Sequence, residues 1–278
     1  MFLLVLAAVA SFSPALAQGS QNRVYVVEIH GEIDLGLVPY LNRSLRQAQE
    51  EGAPAVVLDI NTPGGRLDAV LQMRESLLGS PVRTVAFVNR EAFSAGALVA
   101  LASRDIYMAP GAVMGAATPV DGAGETASEK TISAVRTTFK STAEVRDRNP
   151  HVAEAMVDPS VEIDGLVEQG RLLTLTANEA RKWGYADGVV SNTDELLEAI
   201  GHEGAAVEDV TPRLAENLVR FLTSPVVASL LLSFGFLLIL ADAFTEGFGA
   251  IGAAGLGLLA TFFWGHYLAG LAGWEGVA

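Results

Sequence analysis

Apolar and polar positions alternate along most of this chain in a way that marks short strands and amphipathic helices. Arg23–Ile33 is β-branched and apolar with a break near Gly31, and predicts a strand. Val38–Glu51 follows as a helix with Val38, Leu41, Leu45 and Ala48 on one face. Ala55–Ile60 reads as a strand of the near-continuous apolar kind found in parallel sheets, and it runs directly into Asn61-Thr-Pro-Gly-Gly65. Leu67–Leu78 predicts a helix, Arg83–Asn89 a buried strand, and Ala95–Ala102 a helix of small residues headed by Ser94. Ile106–Met108 and Val113–Gly115 predict short strands. Glu129–Arg146 predicts a helix with Ile132, Val135, Phe139 and Ala143 as its apolar stripe. In Leu172–Val190 a strand, a helix capped by Thr176 with Glu179 at capping-box spacing, a turn and a strand follow one another, and Glu195–Ile200 is a further helix. Strands and helices in this order predict an α/β domain with parallel strands.

Beyond Thr211 the pattern changes. Thr223–Ala241 has no charge and is long enough to span a bilayer, and Gly247–Gly273 is a second uncharged run rich in glycine and alanine. Met1–Ala17 is apolar and ends in Ala-Leu-Ala, which predicts a signal peptide cut after about Ala17, with an uncleaved anchor as the alternative. The domains expected are therefore the signal peptide (1–17), a globular domain (18–210), a linker (211–222) and a membrane region (223–278). A cleaved signal places the globular domain outside the cytoplasm.

Composition narrows the chemistry. The 278 residues carry a net charge of −14 and only three lysines, Lys130, Lys140 and Lys182. No basic stripe exists to neutralise phosphates, which argues against nucleic acid. There is no cysteine, so disulfides, thiolate catalysis and Cys-ligated metals are excluded. No metal or cofactor motif is present. The hydrophobic fraction of 50% reflects the two apolar ends.

Ser94 sits at a strand-to-helix turn, where free N–H groups and the helix dipole can stabilise an anion. It can be a nucleophile, or simply a helix cap. The histidines (His30, His151, His202, His266) have no motif around them. The other base used with serine is a desolvated lysine. Lys130 opens its helix beside the loop Asp121–Ser128, while Lys140 neighbours Phe139, and periodicity alone favours Lys140 for burial. Either can equally be a solvated surface lysine. Thr62-Pro-Gly-Gly65, at a strand end, offers backbone N–H groups for an oxyanion.

The order Leu58-Asp-Ile-Asn-Thr-Pro-Gly-Gly65, Ala92-Phe-Ser-Ala-Gly96, Met108-Ala-Pro-Gly111, Gly115-Ala-Ala-Thr-Pro119, then a lysine-led helix running to Arg148-Asn149-Pro150, resembles the Clp/crotonase fold. More narrowly it resembles the membrane-bound serine proteases of the NfeD long-form class, the stomatin operon partner proteins, related to signal peptide peptidase A and the Clp protease. The resemblance covers about residues 23–195. It implies Ser94 as nucleophile, Lys130 as general base with Lys140 as rival, and Gly64 or Gly65 with Ala95 as the oxyanion hole. It implies no cofactor, a dimeric protease domain, and hydrophobic segments of stomatin-like membrane proteins as substrates. Long-form members carry further membrane helices and a small C-terminal β-barrel, so a sequence stopping at Ala278 is expected to be a truncated or short form. Two other readings compete. One is a non-catalytic membrane scaffold that binds a stomatin-like protein. The other is a crotonase-type acyl-CoA enzyme, disfavoured by export and by the acidic balance.

Overall fold

The computed structural model describes residues 23–244 and 249–271. The expected signal peptide, Met1–Ala17, lies outside them. The chain opens with β1 (Arg23–His30), α1 (Leu37–Glu50), β2 (Ala55–Thr62), α2 (Leu67–Leu78), β3 (Arg83–Phe93) and α3 (Ala95–Ala102). Next come β4 (Asp105–Met108), β5 (Val113–Gly115), α4 (Glu129–Val145), α5 (Pro150–Ala155), β6 (Thr174–Thr176) and α6 (Ala177–Lys182). They are followed by β7 (Gly188–Val189), α7 (Thr193–Ala199) and β8 (Ala206–Val210), and then by α8 (Leu214–Thr223), α9 (Pro225–Ala243) and α10 (Ala250–Leu271).

One sheet runs β6-β5-β3-β2-β1-β8, with β4 pairing both β3 and β7 off that path. Every pairing is parallel except β5 with β6. This is the α/β domain that the strand–helix alternation predicts. The fork in β3 shapes the site: Val85–Val88 pairs with β4, whereas Glu91–Phe93 pairs with β5. The β2–β3 register also slips between Ile60 and Thr62. The two strand ends that carry Pro63-Gly64-Gly65 and Ser94 thus leave the regular ladder side by side.

Helix α3 is buried at all eight positions. Its small residues allow this: a Cβ on Gly96 would lie 2.4 Å from Thr62 Cγ2, so any larger residue would push the helix off β2. The helix C-terminus is closed by arginines from the turn after α4. Arg148 is buried and donates to the carbonyls of Leu101 (3.4 Å), Ser103 (3.2 Å) and Arg104 (3.0 Å). Arg146 donates to those of Ala102 (2.8 Å) and Leu77 (2.9 Å). Leu101 and Ala102 of α3 and Leu77 of α2 are last-turn carbonyls that a helix end cannot satisfy internally. Arg148→Ala is expected to cost about 3 kcal/mol, since buried acceptors of a charged donor are left unpaired. Thermal unfolding of the detergent-solubilised chain should show a melting point lower by roughly 6–12 °C.

Helices α9 and α10 form an antiparallel pair of membrane length. Pro225–Ala243 has mean hydropathy 2.3 and Ala250–Leu268 has 1.3, and most of each surface is uncovered by protein. They meet through small residues: a Cβ on Gly255 would lie 2.7 Å from the Gly235 carbonyl oxygen. The stretch expected to be a linker is instead helix α8, docked on α1. Arg43 forks onto Glu216 through Nε and Nη2 at 2.8 Å each, and Arg220 Nε donates to Asp34 at 2.9 Å. Three further elements depart from the pattern-based expectation: α5, the edge strand β8, and the antiparallel pairing of β6.

Candidate active site

Ser94 ends β3 and caps α3 with φ 50° and ψ −117°, a left-handed conformation that non-glycine residues rarely adopt. Its N–H donates to the Gly115 carbonyl (2.9 Å) and its carbonyl accepts from Ala97 N–H (3.0 Å), so both neighbouring segments hold the turn. A sharp strand-to-helix turn of this kind presents a side chain outward at the positive end of a helix. Among the described residues the Ser94 hydroxyl has no hydrogen-bond partner in the protein.

The Pro63-Gly64-Gly65 turn is pressed against it. At φ 109°, Gly64 has no room for a side chain, because a Cβ would sit 2.6 Å from Ser94 Cβ. Thr62 Oγ1 donates to the Gly31 carbonyl (2.5 Å) and accepts the Gly64 N–H (3.0 Å). The Gly64 carbonyl accepts from Ile33 N–H, and the Ile33 carbonyl from Arg66 N–H, both at 2.8 Å. This clamps the turn and commits the Gly64 amide. Among the described residues, the amides of Gly65 and Ala95 donate to no protein acceptor. Both flank Ser94, one across the turn and one along α3.

Ser94, Gly65 and Ala95 line a cleft of about 680 Å³. Leu67, Val70 and Leu98 form part of its apolar wall, and Thr131, Val135 and Phe139 add a face of α4 at i, i+4 and i+8. Ala116–Gly122 forms a further side. The loop expected at Asp121–Ser128 is an exposed hairpin: Val120 bridges Thr126, and Asp121 Oδ1 accepts from the N–H groups of Ala123 (2.9 Å) and Glu125 (3.1 Å). Glu32 and Arg66 also line the cleft. No sequence motif marks them, since long-range pairing, ending in the Ile33–Gly65 bridge, brings those two segments together.

Lys130 lies in the first turn of α4, exposed, one residue before the cleft-lining Thr131. It shares no hydrogen bond with Ser94 among the described residues. Lys140 does not line the cleft; its ammonium pairs with Glu154 at 3.3 Å. His30 stands 3.3 Å from Asp59, whose carboxyl is pushed above the usual range by burial, but neither lines the cleft. The His–Asp pair therefore does not serve Ser94 as a triad. His151 pairs with Glu154, and His266 lies within α10, its Nδ1 3.0 Å from the Phe262 carbonyl oxygen. Among the described residues no group of acidic or histidine side chains is arranged to hold a metal.

Comparison with known proteins gives concordant matches. Residues 23–210 match the family described as the NfeD1b N-terminal domain, and residues 226–278 match the NfeD integral membrane domain. The chain is 39% identical over 262 residues to the membrane protein NfeD1b of Bacillus subtilis, covering 94% of this chain and 60% of that protein. It is 28% identical over 259 residues to the membrane-bound protease PH1510 of Pyrococcus horikoshii, covering 84% of this chain and 55% of that protein. The chain thus spans less than two thirds of the length of these relatives. Among solved structures, a serine-to-alanine mutant of the 1510-N membrane-bound stomatin-specific protease superposes with a TM-score of 0.61 at 26% identity, over 69% of this chain and 99% of that one. A lysine-to-alanine mutant of the same protease, in complex with a substrate peptide, gives 0.62 at 26% identity, over 73% and 98%.

Proposed function

The chain belongs to the NfeD family, and from that premise we propose that it is a membrane-anchored serine endopeptidase with Ser94 as nucleophile and Lys130 as general base. The amides of Gly65 and Ala95 are the oxyanion donors, and Gly64 gives the close approach. Relationship to a membrane-bound protease supports the peptidase reading. The observation that carries it is the strained Ser94 turn, packed on Gly64 and opening into an apolar cleft beside two uncommitted amides.

In the proposed cycle, neutral Lys130 takes the proton from Ser94 Oγ as that oxygen attacks a peptide carbonyl. The carbonyl π electrons move to oxygen, which accepts from Gly65 and Ala95 N–H. Collapse breaks the C–N bond, and the lysinium returns its proton to the leaving amine. Water then hydrolyses the acyl-enzyme, with Lys130 again taking a proton. An apolar substrate side chain filling the wall of Leu67, Val70, Val135 and Phe139 expels water from the cleft. The cleft therefore fits apolar segments, and a stomatin-like membrane protein is the substrate proposed, by analogy with the stomatin-specific relative. The protease domain acts as a homodimer or higher homo-oligomer on the extracytoplasmic side, where a cleaved Met1–Ala17 signal would deliver it.

One observation favours the scaffold reading: Lys130 and Ser94 are not hydrogen-bonded to each other. The discriminating experiment incubates the full chain in liposomes with apolar peptides, including a hydrophobic segment of a stomatin-like protein, and reads products by mass spectrometry. Defined cuts support the endopeptidase. Binding of that peptide without any cut gives the scaffold.

A further inference from the structure

Helix α8 has two apolar faces. One is buried: Val219, Leu222 and Thr223 pack inward, and Glu216 is locked to Arg43. The other is not: Leu214, Leu218 and Phe221, at i, i+4 and i+7, are 89%, 42% and 60% exposed. A stripe of this kind on a helix clamped to a soluble domain needs an apolar medium.

Its surroundings identify that medium. Ser224 both ends α8 and caps α9, so the stripe runs without interruption into the first membrane-length helix. The last turns of α10 pack beside α8: a Cβ on Gly265 would lie 2.8 Å from Leu222 Cβ. At this level of α10, Trp264 and Tyr267 are exposed outward, 51% and 63%. Tryptophan and tyrosine at the end of a span mark the headgroup level of a bilayer. Arg213, exposed immediately before the stripe, adds a positive charge of the kind lipid phosphates would favour.

We propose that α8 is an in-plane interfacial helix whose Leu214–Leu218–Phe221 stripe lies at the headgroup–acyl boundary, holding one end of the Ser94 cleft against the bilayer surface. Docking is rigid, through Arg43–Glu216, Arg220–Asp34 and the Arg220 stem over Gly36, where a Cβ would lie 2.4 Å from Arg220 Cγ. Glu32, Asp34 and Arg66 share a smaller cleft with Asn217, Ser224 and Pro225. Glu32 and Arg66 also line the Ser94 cleft. One mouth of that cleft therefore opens beside the first residues of the span, and a polypeptide leaving the bilayer is the occupant nearest to it. The inference stands whether or not the cleft cuts peptides.

The chain has no cysteine, so one introduced cysteine is a unique labelling site. Leu214→Cys, Leu218→Cys and Phe221→Cys, each in the full chain, would carry a nitroxide in vesicles of phosphatidylcholine and phosphatidylglycerol. Electron paramagnetic resonance would read collisions with oxygen and with a water-soluble nickel complex. Glu168→Cys, exposed on the globular domain, is the water reference, and Phe236→Cys, exposed in mid-span, the lipid reference. The expected result is that the three stripe labels fall between the references, with oxygen contact above that at Glu168. Stripe labels that match Glu168 would overturn the proposal. So would labels shielded from both reagents, which would mean that protein covers the stripe. Leu214 is almost fully exposed, so its variant reports even if another misfolds.

Discussion

Ser94→Ala is expected to leave the chain folded and inserted while peptide hydrolysis drops by about 10⁴-fold or more, the scale seen when a serine nucleophile is removed. The hydroxyl has no partner among the described residues, so its loss unpairs nothing, and far-ultraviolet circular dichroism and the melting point should match wild type. Ser94→Gly sharpens the argument. A non-glycine residue at φ 50° and ψ −117° carries strain of about 1–3 kcal/mol, which glycine relieves at some cost in chain entropy. Ser94→Gly should therefore be as inactive as Ser94→Ala but melt at a temperature no lower than wild type. The hydroxyl makes no hydrogen bond that would offset the strain of its turn, and it lines the cleft, which fits a chemical role better than a structural one. The idea fails if Ser94→Ala cuts the same peptides at the wild-type rate, or if Ser94→Gly melts well below Ser94→Ala.

The same turn shows why part of the site was legible in the sequence. A serine between a buried strand and a run of small residues, and a Pro-Gly-Gly after another strand, are local signals of special backbone. The chain needs glycine at Gly64, crowded by Ser94 Cβ, and at Gly96, crowded by Thr62 Cγ2, so the composition records the geometry. Glu32 and Arg66 carry no such mark; the pairing of β1 with β2 and the Ile33–Gly65 bridge beyond it bring them to the cleft. Strand β8 was illegible for a similar reason. Ala206–Val210 is short and carries two carboxylates, and it becomes a strand through its register with Arg23–Val27, far away in the chain. Helix α8 escaped because it is apolar on two sides, one packed on α1 and α10 and the other uncovered by protein, so no single stripe stands out. Buried strands and charge-free spans were readable because their signal lies within one stretch of sequence.

The choice of base is the second large effect. Lys130→Ala should lower kcat by about 10²–10⁴-fold, the usual contribution of a positioned general base. Lys130→Arg should be just as impaired, because a guanidinium does not give up its proton. Lys140→Ala should stay within about twofold of wild type and within about 0.5 kcal/mol in stability, because its half-exposed pair with Glu154 is of the weak surface kind. The two lysines differ in what they are already doing. Lys140 is engaged by Glu154 at 3.3 Å and does not line the cleft. Lys130 has no carboxylate partner among the described residues and sits in the first turn of α4. It immediately precedes Thr131, which lines the cleft. Steady-state cleavage of one apolar peptide by the three variants decides the matter. If Lys140→Ala is the dead variant and Lys130→Ala cuts normally, the base is misassigned. If all three lysine variants cut normally while Ser94→Ala is dead, the serine draws its base from outside this pair.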